Sequence, residues 1–330
     1  MKQETLIRLF KSIESDSSDD LMKMAYKIID EEVEKGHYIL SEKLKKILEN
    51  RTRKDKHLKR ELSNIFQPKI PENTRIKSQL AITVDRDFLR HDMILPESIE
   101  SKFNRIEKEF IARDRLAHHG LKPRQKILFY GAPGCGKSMG AERIAWNTGL
   151  PFVKVRFDAM ISSYLGESLS NLRKIFEELS SQPCVLLLDE FDIIAKSRTF
   201  GQDVGEMYRI VNMLLYLLEE YNSPSGLLIA TTNLEKSLDK AIFRRFDEII
   251  EISKPGTEEI IRLLKQTLLS QRCDKTISWS NIASEMEGFS AALVVKVAQN
   301  AAKLAILNNT GQIGINEIKS ALGEVEQHGG

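Results

Sequence analysis

GAPGCGKS, residues 131–138, follows the apolar run KILFY (126–130) and leads into SMGAERIAWNTG (138–149), whose apolar positions recur at helical spacing. A G-x-x-x-x-G-K-[ST] pattern between a strand and a helix is the signature of a phosphate-binding loop. Gly134 and Gly136 allow a tight backbone turn that aims successive N–H groups at phosphate oxygens, reinforced by the helix N-terminus. Lys137 can reach the β- and γ-phosphates, and the Ser138 hydroxyl can ligate Mg²⁺. The expected ligands are therefore a nucleoside triphosphate and Mg²⁺. The expected nucleotide-binding set is Gly131, Pro133, Gly134, Cys135, Gly136, Lys137, Ser138 and Met139. A glycine turn that merely matches the pattern is the competing account, and the flanking strand and helix count against it.

From this loop outward, KILFY, PFVKVRF, VLLLD, GLLIATTN and EIIEI are short apolar or β-branched runs separated by segments of helical periodicity. That alternation predicts an α/β domain, a parallel sheet with helices on both faces. After Pro255-Gly256 the strands stop, and TEEIIRLLKQTLL, SWSNIASEMEG, SAALVVKVAQNAAKLAILNN and GINEIKSALGEVE read as a closing helical domain. Upstream, Leu21, Met24, Ala25 and Ile28 suggest a helix, and Leu44, Ile47 and Leu48 a second. The expected organisation is a helical N-terminal docking region (1–62), a linker (63–91), a large α/β domain (92–255) and a helical lid (256–330).

Asp189 and Glu190 end the buried run VLLLD, at the C-terminal edge of a parallel sheet where such folds bind ligands. Asp189 is placed to hold the metal, and Glu190 to orient and deprotonate an attacking water. Asn233 ends GLLIATTN and can hydrogen-bond both the γ-phosphate and that water. An ordinary turn asparagine is the plainer account. Arg244 and Arg245 follow in AIFRRFDE, and guanidinium forks suit phosphate oxygens. Cys135 lies beside a helix N-terminus, a setting that can lower a thiol pKa, but a small filler residue is the preferred account of it.

Lys plus Arg number 49 against 47 Asp plus Glu, so net charge offers no global case for a nucleic-acid or membrane partner. The basic stretch 42–62 lacks aromatic residues for base stacking and reads first as a solvated helix and linker, with nucleic acid still open. Three cysteines without metal-ligand spacing suit a reducing compartment. No apolar run approaches the ~18 residues of a membrane span. A cytoplasmic location is expected.

Residues 92 to about 310 resemble the AAA ATPases, a branch of the AAA+ superfamily of P-loop NTPases. GAPGCGKS stands as Walker A, VLLLDEFD as Walker B and ATTN as the first sensor, and AIFRRFDE looks like the severing and remodelling members of the katanin and spastin kind. The resemblance implies a homo-oligomeric ring, usually a hexamer, in which Arg244 and Arg245 act as arginine fingers on ATP held by the neighbouring subunit. GFSAALVV (288–295) departs from the Gly-Ala-Asp that many members carry after GFS, and Asp92 to Leu95 is the segment offered for the adenine pocket.

AMISSYLGES (159–168) occupies the position of the family's first pore loop, with Tyr164 and Leu165 as its usual aromatic and apolar pair. Copies of Tyr164 around a ring would grip an extended polypeptide through apolar area, and packing at the subunit interface is the alternative. SRTFGQDVGE (197–206), with Phe200, is a second candidate loop. The leading expectation is an ATP-hydrolysing motor that remodels or unfolds a protein client, with a separate protease or adaptor left open. A nucleic-acid-directed loader or transposition helper is the alternative, and a regulatory nucleotide switch is a third.

Overall fold

The computed structural model describes residues 68–71, 79–157, 165–190, 204–233, 243–308 and 310–328. They fall into two compact units, one built from 67–260 with 286–292 and the other from 261–285 with 293–330. The predicted helices of residues 1–62 lie outside the described residues.

The first unit holds a six-stranded sheet of β1 (Ala81–Val84), β2 (Lys126–Tyr130), β3 (Phe152–Val155), β4 (Val185–Leu188), β5 (Leu227–Thr232) and β6 (Glu248–Glu251), in the order β1-β3-β4-β5-β2-β6. Every neighbouring pair is parallel except β1 with β3. The antiparallel edge strand falls in the stretch that the sequence reads as linker. AITV is a partly exposed four-residue piece set in a stretch broken by Pro, Asn, Lys and Ser, which masks it as a strand.

Four longer helices cover the sheet: α1 (Glu97–Ile111), α3 (Lys137–Thr148), α4 (Leu165–Ser180) and α5 (Val204–Glu220), with a short α2 (Arg113–His118) after α1. Strand side chains alternate between faces. Val153, Val155, Leu186, Leu188, Leu228 and Ala230 pack with Leu172, Ile175 and Phe176 of α4 and Ile210, Leu214 and Leu218 of α5. Ile127, Phe129, Phe152, Val185, Leu187 and Ile229 pack with Phe103 and Ile106 of α1 and Ala141 and Ile144 of α3. The sheet is thus sandwiched, as the strand–helix alternation predicts. Gly140 lets α1 and α3 approach closely, since a Cβ there would meet the Phe103 ring at 3.0 Å.

The helices α6 (Thr257–Thr267), α7 (Trp279–Glu285), α8 (Ala291–Leu307) and α9 (Ile315–His328) fall where the sequence places its closing helical region. Within the second unit, Ile282, Val297, Ala301, Ile318 and Val325 are buried, and Cys273 bridges to Ile313.

Candidate active site

The phosphate-loop sequence joins β2 to α3, and its glycines take conformations that other residues rarely adopt. Gly131 has φ +142, and a Cβ there would collide with the Ile252 carbonyl oxygen. Gly134 has φ +75, and a Cβ would meet Ser290 Oγ at 2.8 Å. The Ala292 N–H donates to the Gly134 carbonyl at 3.0 Å. Residues 290–292 therefore brace the loop through Ser290 and the backbone, in the very segment that lacks the family's Gly-Ala-Asp.

Lys137 opens α3 and is buried, its ammonium donating to the carbonyls of Gly131 at 2.9 Å and Ala132 at 2.8 Å. Met93 Cε packs beside Gly136, so the Asp92–Leu95 segment runs along the loop. Arg90 pins that segment to α3, with its backbone N–H on Glu142 Oε2 at 2.8 Å and its guanidinium on both carboxylate oxygens.

Strand alternation places Asp189 on the same face as Val185 and Leu187, the face that α3 covers. Three side chains converge on its carboxylate. Ser138 Oγ donates to Oδ1 at 2.7 Å, Thr231 Oγ1 donates to Oδ1 at 2.6 Å, and Lys154 Nζ donates to Oδ2 at 2.6 Å. Burial alone would push this carboxyl up, but the hydrogen bonds from Lys154, Thr231 and Ser138 hold it below the usual carboxylate range. It is an anion paired with the Lys154 ammonium.

Glu190, next in the chain, has φ +52, the positive value found at a non-glycine among the described residues. Such a conformation costs on the order of 1–3 kcal/mol and persists only when its surroundings enforce it. Here the Glu190 N–H donates to Thr231 Oγ1 at 3.0 Å. Asn233 stands just past the end of β5, half-buried.

Arg244 is exposed and Arg245 is half-buried, its Nη2 3.4 Å from Glu219 Oε2 on α5. Cys135 is 4% exposed, and burial pushes its thiol up despite the nearby Lys137 and Lys254. The buried, raised thiol favours the small-filler reading over the lowered pKa that a helix N-terminus can give. Tyr164 and the 197–203 part of the second loop lie outside the described residues, and Leu165 is described only as the first residue of α4.

Lys154 and Thr231 escaped the sequence reading. A cation inside the otherwise apolar strand FVKV (152–155) was the available signal for Lys154. Thr231 becomes legible only through the parallel register, which pairs Leu188 with Ala230 and so sets Asp189 against Thr231.

The profile of the ATPase family associated with various cellular activities (AAA) matches residues 127–254. An uncharacterized AAA family ATPase of Sinorhizobium fredii is 36% identical over 304 residues, covering 92% of this chain and 90% of the relative. The chain belongs to the AAA family. Family membership implies ATP binding and hydrolysis. The residues present fit Mg²⁺, because a hydroxyl and a carboxylate converge within 2.7 Å and such a pair, completed by phosphate and water, is the hard oxygen set the ion prefers. No described helix is long and apolar enough to cross a membrane.

Proposed function

We propose that this AAA ATPase is a ring-forming motor, most simply a hexamer, that remodels or unfolds a protein client by drawing it through a central pore. The observation that carries the catalytic half is the Ser138 Oγ to Asp189 Oδ1 contact of 2.7 Å at the mouth of the glycine loop. Ser138 and Asp189 would hold Mg²⁺, which when bound neutralises charge on the phosphates. Lys137 and the loop N–H groups hold the phosphate chain. Glu190 takes a proton from the attacking water, and Asn233 orients that water. Arg244 and Arg245 extend to the neighbouring subunit's nucleotide.

The mechanical half rests on Tyr164 and Leu165 in the pore-loop position and on the katanin- and spastin-like AIFRRFDE segment. In this reading residues 1–62 select the client, 63–91 link, 92–255 hydrolyse and 256–330 form the lid, in a cytoplasmic protein.

The test is ATP turnover of the full chain with an unfolded protein or with DNA added. Stimulation by the protein, lost in Tyr164→Ala while basal turnover persists, is the expected result. Salt-sensitive stimulation by DNA alone would replace it with the nucleic-acid-directed reading, in which the basic stretch 42–62 contacts the backbone.

A further inference from the structure

Lys154 is a charged residue on an otherwise apolar inner strand, with Phe152, Val153 and Val155 all buried around it. It shares the sheet face of Phe152, and parallel pairing sets it opposite Leu187, two residues before Asp189 on the same face. The ammonium consequently reaches diagonally across to Asp189 Oδ2 at 2.6 Å. Ser138 and Thr231 take the other carboxylate oxygen, Oδ1. The cation and the two hydroxyl groups together engage both oxygens of the acid. Lys154 keeps 41% of its side chain exposed, against 14% for Asp189. The ammonium can therefore swing into water, whereas the carboxylate stays in place.

We propose that Lys154 is an internal competitor for the metal site: its ammonium neutralises Asp189 until Mg²⁺·nucleotide displaces it, and recaptures the carboxylate when metal and product leave. The inference rests on Asp189 and Ser138 being the metal ligands. A monovalent ammonium on a flexible stem gives way to a divalent ion, but it subtracts from the apparent affinity for that ion. It also spares the site an unpaired buried carboxylate between turnovers. Lys154 is thus a positioning residue that sets how much free Mg²⁺ the enzyme needs.

The test is binding of a fluorescent ATP analogue to the full chain while Mg²⁺ is titrated, with thermal melting to confirm folding of each variant. Lys154→Met should lower the Mg²⁺ midpoint by about ten-fold, and Lys154→Arg, which keeps the charge, should stay near the parent value. An unchanged or raised midpoint in a folded Lys154→Met would overturn the competition. If analogue binding by the parent chain ignores Mg²⁺ altogether, the metal assignment beneath the proposal fails instead.

Discussion

Thr231 Oγ1 donates to Asp189 Oδ1 at 2.6 Å and accepts the Glu190 N–H at 3.0 Å, so one hydroxyl locks both acids at the end of β4. Thr231 is 1% exposed, which leaves water little access to replace it. Thr231→Val keeps the shape but removes both bonds. Losing them should cost about 1–3 kcal/mol of stability and free the strained Glu190 backbone. ATP turnover should fall further than nucleotide affinity does, and Thr231→Ser should restore most of it. Melting temperature, turnover and binding of the same preparations check this.

Glu107 of α1 is buried, with Asn147 Nδ2 at 2.9 Å and Arg143 Nε at 3.5 Å from its Oε1. Burial pushes its carboxyl up, more than Asn147 and Arg143 pull it down. An acid whose folded pKa is raised binds its proton more readily in the folded state, so it costs stability as pH rises from roughly 4 through the folded value. Glu107→Gln should remove that slope. The melting temperature of the variant relative to the parent should rise across this window and then level off, and a constant difference from acid to neutral pH would contradict the assignment.

Cys135 and Cys184 are both buried, and burial pushes the Cys184 thiol up to about 12. Cys273 is half-exposed. Brief alkylation of the native chain followed by peptide mass measurement should therefore label Cys273 well before the other two. Fast labelling of Cys135 would restore the reactive thiol that its place at a helix N-terminus suggested.

The two arginines of AIFRRFDE separate by environment, Arg244 exposed and Arg245 paired with Glu219. Arg244→Ala should lower turnover by about 10³-fold while each subunit still binds ATP. Mixing it with Glu190→Gln subunits, whose arginines are intact, should recover part of the activity. No recovery would argue that Arg244 does not act across a subunit boundary.

Legibility in the sequence followed the kind of signal each feature leaves. The inner strands β2 to β5 and the glycine loop announce themselves through continuous apolar runs and fixed spacing. The edge strand β1 does not, because its short, partly exposed AITV sits in a stretch whose Pro, Asn, Lys and Ser residues read as linker. The helix α1 carries Ile99, Phe103, Ile106 and Phe110 at helical spacing, a usable signal diluted by the charges around it. Lys154 and Thr231 belong to the site through lateral register between strands that are distant in the chain. Nearest-neighbour sequence patterns hold no record of that register.

Hydrolysis by the parent chain and by Glu190→Gln, measured as phosphate release beside ATP binding, bears most directly on the catalytic assignment. The account predicts that Glu190→Gln binds ATP as tightly as the parent and releases phosphate at least about 10²-fold more slowly. Phosphate release at the parental rate would show that Glu190 is not the base and that the attacking water is activated elsewhere.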